Sequence, residues 1–173
     1  MKKSVGIVII THLGNDYLAL LQKRASLNKE KGTAESYPGC LQVSCHGKLE
    51  EGEYFHQALI RELGEELGER FGSELCQSII CQDIPFQKIV DVEDEEKHVI
   101  TFAAFVSGER LKMMELGEDV GSLVYIPEDE VDQIIPITRV MKTEGPPPGM
   151  MAMFPDEIDA VKKAFEIVRI VKS

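Results

Sequence analysis

Two stripes run side by side between residues 53 and 67. Leu59, Leu63 and Leu67 recur every four residues, with Phe55 and Ile60 near the same side. Glu62, Glu65 and Glu66 stand at i, i+3 and i+4, so on a helix they share a neighbouring face. The leucine stripe has to be buried, and Gly68 is placed to end the helix just past its last turn. The spacing therefore predicts a helix anchored in a core with three crowded carboxylates beside it. Such carboxylates repel one another unless a cation sits among them. Hard oxygen donors at this density suit Mg²⁺ or Mn²⁺. A solvated, Glu-rich helix face has the same pattern, so the triad alone does not decide between the two.

The rest of the chain supplies mixed elements around that helix. Residues 4–10 and 17–23 read as strands joined by a turn at 12–16, and 39–45 as a further strand after a polar loop at 25–38. Residues 86–91 and 98–106 read as a hairpin whose tip, 92–97, is acidic. The stretch 123–126 reads as a strand, followed by a short helix opened by Pro127. Residues 145–149 form a stiff Gly-Pro loop. Ile158, Val161, Phe165 and Val168 mark one face of a final helix over 155–171. Strands and helices do not alternate strictly, which favours an α+β, mixed-sheet sandwich over a doubly wound fold. At 173 residues, with no linker or repeat, the whole of 1–173 is expected to form a single domain.

Charge narrows the partners. A formal net charge of −11 leaves no basic footprint for nucleic acid or an anionic membrane. An acidic protein that handles an anionic substrate needs a local cation, and bound metal is the obvious one. The opening MKKSVGIVII lacks the features of a signal peptide, and no apolar stretch approaches the ~20 residues that span a bilayer. The expected location is the cytoplasm. Cys40, Cys45, Cys76 and Cys81 form two C-x4-C pairs. The intervening LQVS and QSII look like strand, which would turn the two thiols of each pair to opposite faces. Reduced, structural thiols are expected here rather than a zinc site.

The decisive pattern is wider than the triad. Gly47, Glu53, Arg61, Glu62, Glu65, Glu66 and Gly68, with apolar Leu63, fill G-x5-E-x7-R-E-U-x-E-E-x-G-U. Seven such matches arise by chance on the order of once in 10⁵ for this composition. This stretch resembles the Nudix box, and the flanking order of elements resembles the Nudix fold, an α/β/α sandwich with a mixed sheet between helices. One position departs: Glu69 stands where the last apolar residue belongs, with an expected consequence for packing rather than chemistry.

The resemblance implies a metal-dependent pyrophosphohydrolase that cleaves a phosphoanhydride bond in a nucleoside diphosphate linked to another group. It implies that Glu62, Glu65 and Glu66 ligate Mg²⁺ or Mn²⁺, that Arg61 and Glu53 pair to brace loop against helix, and that the carbonyl of His46 joins the metal site. Ser44-Cys45-His46 departs from the usual run, which has Gly where His46 stands. The general base is left open between a box Glu and a carboxylate of the tip, Glu93 to Glu96. The partner implied is a small nucleotide, and a homodimer is left open, with Met113, Met114, Met151 and Met153 either interface or core. Tyr37, Phe86 and Phe154 are candidates to stack on a base. Two rivals remain: a non-hydrolytic nucleotide-sensing Nudix module, and an isopentenyl-diphosphate isomerase-like enzyme, which Cys45 and His46 faintly resemble.

Overall fold

The computed structural model describes residues 1–28, 32–118 and 120–172. In chain order the elements are β1 (Lys2–Leu13), β2 (Asp16–Arg24), β3 (Leu27–Asn28), β4 (Thr33–Ala34), β5 (Leu41–Gln42) and β6 (Cys45–Lys48). Helices α1 (Phe55–Leu67) and α2 (Glu69–Ile80) follow, then β7 (Phe86–Glu93), β8 (Lys97–Phe105), α3 (Gly108–Leu111) and β9 (Val120–Pro127). A 3-10 turn at Glu128–Gln133 leads to β10 (Ile135–Pro136), β11 (Ala152–Met153), α4 (Pro155–Ala164) and α5 (Ile167–Lys172).

β1 is the spine of the sheet. It runs parallel to β8 from Lys2↔Lys97 to Ile10↔Phe105 and antiparallel to β2 from Ile9↔Leu20 to Leu13↔Asp16. β7 and β9 extend the two sides antiparallel. The mixed sheet carries helices on both faces. Val5, Ile7 and Ile9 pack with Leu59, Leu63, Leu67 and Phe71 of α1 and α2. Val8 and Ile10 pack with Ile158, Val161, Phe165 and Ile167 of α4 and α5. Burial on both faces is why the β1 sequence reads as a continuous apolar run rather than an alternating one. Each large side chain so buried contributes roughly 1.5–3 kcal/mol.

β1 and β2 pair only at one end, and the segment after Cys40 fills the fork between them. β5 pairs β2 through Gln22↔Gln42, then β6 pairs β1 through Gly6↔His46. The single strand expected at 39–45 is therefore two, because the chain changes partner at Val43 and Ser44. Buried Ser44 ties the fork: its hydroxyl accepts from the N–H of Ile9 at 2.7 Å and donates to the carbonyl of Leu20.

Three other expectations are corrected. QSII before Cys81 is not strand but the end of α2, an added helix whose Phe71, Leu75 and Ser78 face inward. The final helix is broken at Phe165–Glu166 into α4 and α5. Within the loop at 25–38, β3 and β4 form a small hairpin, while residues 29–31 lie outside the described residues. Of the four methionines Met153 is fully buried, while Met113, Met114 and Met151 are half-buried and pack against the two clusters. Cys40 and Cys45 are buried in different clusters, Cys76 is half-buried and Cys81 is exposed. Among the described residues no helix is long and apolar enough to cross a membrane.

Candidate active site

The box helix is fixed at both ends. At its start the Gln57 side chain accepts the N–H of Tyr54 at 2.9 Å. At its end Gly68 turns out of the helix at φ 100°, which a glycine adopts without strain. The segment after α3 folds back onto this end. The N–H of Glu115 bonds the carbonyl of Leu67 at 3.0 Å, and that of Gly117 bonds the carbonyl of Glu66 at 3.0 Å. These bonds satisfy acceptors that a helix end otherwise leaves open. Glu69, the departure from the box, is the exposed first residue of α2, where an acid complements the helix dipole. α2 lies close against α1, since a Cβ on Gly72 would meet the backbone N of Gly64 at 3.0 Å.

Arg61 gathers the acidic residues on one side. Its Nε and Nη2 both bond Glu53, each at 3.1 Å, and Nη2 also bonds the carbonyl of Lys48 at 2.9 Å. Nη1 bonds Glu62 Oε1 at 2.8 Å and Glu65 Oε2 at 3.2 Å. One guanidinium thus fastens the loop after β6 to the helix, a fork-like geometry that lysine cannot reproduce. The bond from Arg61 holds the Glu53 carboxyl below its ordinary range, and Glu53 in turn holds Arg61 charged.

Glu62 and Glu66 project toward β6. Glu62 lies directly on Gly47, where any Cβ would fall 1.7 Å from its Cδ. Glu66 Oε2 accepts from the N–H of His46 at 3.1 Å and from Gln22 Nε2 at 2.9 Å, and its carboxyl also bonds the thiol of Cys45. Burial pushes Glu66 up to about 7 against the pull of these donors, with Glu62 adding repulsion. Burial also raises Glu62, against the lowering pull of Arg61.

Gln22, which the sequence did not single out, is the hub behind Glu66. It is 2% exposed. Its Nε2 also donates to the carbonyl of Ser44 at 2.8 Å, and its Oε1 accepts from Gln42 Nε2 at 2.9 Å. Gln42 Oε1 accepts from Arg24 Nη1 at 3.0 Å, and Arg24 pairs with Glu35 at 2.7 Å. A chain of oriented hydrogen bonds runs from the box to Arg24. The only sequence signal was a polar residue at an inward position of a strand.

The sequence matches the family model described as NUDIX domain over residues 1–148. The chain belongs to the Nudix family. Solved structures of other Nudix proteins share the fold. A mutT/nudix family protein from Listeria innocua is 22% identical, with 99% of this chain and 96% of that one covered, at a TM-score of 0.62. The NUDIX domain of Shewanella oneidensis NrtR, solved with ADP ribose, is 15% identical over 96% and 87% of the chains, at 0.58. A C. elegans Ap4A hydrolase is 14% identical over 99% of each chain, at 0.54. No curated protein matches the sequence. In the Nudix frame, the box runs from Gly47 in β6 through the following loop and α1 to Gly68.

The Nudix carboxylates are not drawn to one point. Among the described residues no three acidic, histidine or cysteine side chains converge as a ligand set. Arg61 holds Glu62 and the largely exposed Glu65, while Glu66 turns to β6. The donor chemistry still suits a hard divalent cation. Glu62 and Glu66 are neighbouring carboxylates, both raised by burial and mutually repelling, and Arg61 bonds the first without bonding the second. The His46 N–H faces Glu66, and in a strand one residue's N–H and C=O point the same way, so its carbonyl faces that edge too. The His46 ring instead lines a cavity on the opposite face of the sheet, and burial lowers its pKa.

Of the aromatic candidates, Phe86 stacks on Phe102 at the edge of the core. Tyr37 and Phe154 meet edge to face, and Phe154 lines the same cavity as His46. In the acidic tip Asp94 Oδ1 accepts the N–H groups of Glu96 and Lys97, each at 2.8 Å, and so shapes the turn.

Proposed function

We propose that this Nudix protein is a hydrolase of a phosphoanhydride bond in a nucleoside diphosphate linked to another group, such as a nucleoside triphosphate or an ADP-ribose-like nucleotide sugar. Residues 1–173 act as one domain, in the cytoplasm. The observation that carries the reading is the pair Glu62 and Glu66, two crowded, burial-raised carboxylates at the edge of β6 with only one of them bonded to Arg61.

Glu62, Glu65, Glu66 and the carbonyl of His46 would hold Mg²⁺ or Mn²⁺. When bound, the cation supplies charge neutralisation, substrate orientation and an acidified water. The chain's own residues do the positioning. Arg61 fixes Glu62 and Glu65 relative to the loop and, with Glu53, keeps that loop from drifting off the helix. Gln22 and the His46 N–H fix Glu66. An isomerase-like use of Cys45 is disfavoured, because full burial and Glu66 raise its thiol well above its ordinary value and suppress the thiolate.

The test is a panel of nucleoside triphosphates, dinucleoside polyphosphates and nucleotide sugars, followed for release of phosphate, pyrophosphate or mononucleotide with Mg²⁺, with Mn²⁺ and with chelator. Turnover of at least one compound, abolished by chelator, is expected. Tight nucleotide binding with no turnover under any metal would instead establish the sensing module.

A further inference from the structure

A cavity of about 310 Å³ opens between the sheet and the start of α4. This lies at the lower end of the size range for small-molecule sites, roughly 300–1,000 Å³, and suits one compact unit. Val43, Val90 and Val99 give it an apolar floor, with Phe154 at the rim. His46 joins it to the box: the backbone N–H bonds Glu66 while the ring lines the cavity. His46 is thus common to the box and the cavity.

Glu157, on the first turn of α4, lines this cavity. Its carboxyl bonds the backbone of Val43, but Oε2 is shielded from solvent and has no hydrogen-bond partner. A buried polar atom left unpaired is uncommon and asks for an explanation. Among the described residues the other such side-chain atom is Thr11 Oγ1, at a different cavity. Burial, with Asp156 alongside, pushes the Glu157 carboxyl up to about 8, so it is largely uncharged at neutral pH. Arg24, Lys97, Gln42 and Thr101 add cationic and polar groups to the lining. A valine floor ringed by polar groups, one of them a buried carboxyl oxygen without a partner, is the profile of a recognition pocket.

We propose that Glu157 is a specificity-determining residue that reads the base of the bound nucleotide through a hydrogen bond between Oε2 and the polar edge of a nucleobase lying on the valine floor. The inference rests on the nucleotide reading of the box. Glu157 acts on binding of the base and has no part in breaking the phosphoanhydride bond.

The test is equilibrium binding to the full chain in Mg²⁺, by calorimetry, of AMP, GMP, CMP, UMP and base-free ribose 5-phosphate. At least one nucleotide should bind the parent tenfold or more tightly than ribose 5-phosphate. Glu157→Ala should bring that ratio close to one while leaving the affinity for ribose 5-phosphate unchanged. Glu157→Gln, which keeps a polar atom in place of Oε2, should retain most of it. If the alanine variant fails to fold, Glu157→Leu carries the same expectation with the space filled. A parent with no preference for any base, or a ratio unchanged in the alanine or leucine variant, overturns the proposal. Glu157-dependent binding without hydrolysis defeats only the hydrolase reading, and hydrolysis with a base preference indifferent to Glu157 defeats only this one.

Discussion

Glu62 rests on Gly47 with no space between them: a Cβ on that glycine would stand 1.7 Å from Cδ of Glu62. The glycine at the head of the box is there for close approach rather than for a left-handed backbone. Gly47→Ala must displace Glu62 or push β6 off β1. A shift of about 1 Å at a reacting centre can cost on the order of a hundredfold in rate, and a loss of that size is expected in kcat. Steady-state hydrolysis by a variant with a native circular dichroism spectrum measures it. Activity equal to the parent would mean that Glu62 is free to move without consequence.

Arg61 makes five hydrogen bonds from three nitrogens, to Glu53, Glu62, Glu65 and the carbonyl of Lys48. Lysine keeps the charge but cannot reach these acceptors in fixed directions. Arg61→Lys and Arg61→Ala should both lower kcat by about tenfold or more, and the alanine variant should also melt several degrees lower, because it leaves a loop unfastened and acidic groups uncompensated. A lysine variant with full activity would reduce Arg61 to a counter-charge.

Gln22→Leu tests the hub behind Glu66. The change preserves volume but leaves the carbonyl of Ser44 and the amide of Gln42 without their partner, and it frees Glu66 on one side. Unsatisfied buried groups cost about 1–3 kcal/mol, so the midpoint of urea unfolding should fall by a corresponding amount. Hydrolysis should fall further than stability explains. A variant as stable as the parent would show that the chain of amides is replaceable packing.

Glu157 makes stability depend on pH in a stated direction. Its folded pKa is raised from 4.5 to about 8, so the native state favours the protonated form. Its contribution is fully present below the unfolded value and is lost as pH rises through the folded one. Between about pH 4.5 and pH 8 the parent should therefore lose thermal stability relative to Glu157→Gln, which has no proton to lose, and the difference should level off above that. Parallel melting curves across that range would mean that the carboxyl is solvated.

The box was legible because its information is local: helix period, the glycine stop and the arginine sit within one stretch, and the Glu53–Arg61 contact spans eight residues. The remaining contacts depend on register. Gln22 and Glu66 are 44 positions apart and meet only because β1 and β2 fork and β6 enters between them. Glu157 reads in sequence as an ordinary acid at a helix start, and only the cavity beside Val43 sets it apart. α2 carries a weak signal in the sequence because it follows Gly68 directly and its short inward stripe includes Ser78. The break between β5 and β6 is invisible in the sequence, because a change of pairing partner leaves no mark on hydrophobic period.

The central claim is that the box carboxylates work through charge on a divalent cation. Glu66→Gln keeps the shape and removes one negative oxygen, while Glu51→Gln alters an exposed box residue outside the specified pattern. Both should fold as the parent does. Measured at saturating Mg²⁺ on the best substrate of the panel, hydrolysis by Glu66→Gln should fall by about a hundredfold or more, and Glu51→Gln should match the parent. Near-equal activities of the two variants would contradict the account and leave the Nudix box of this chain a structural element.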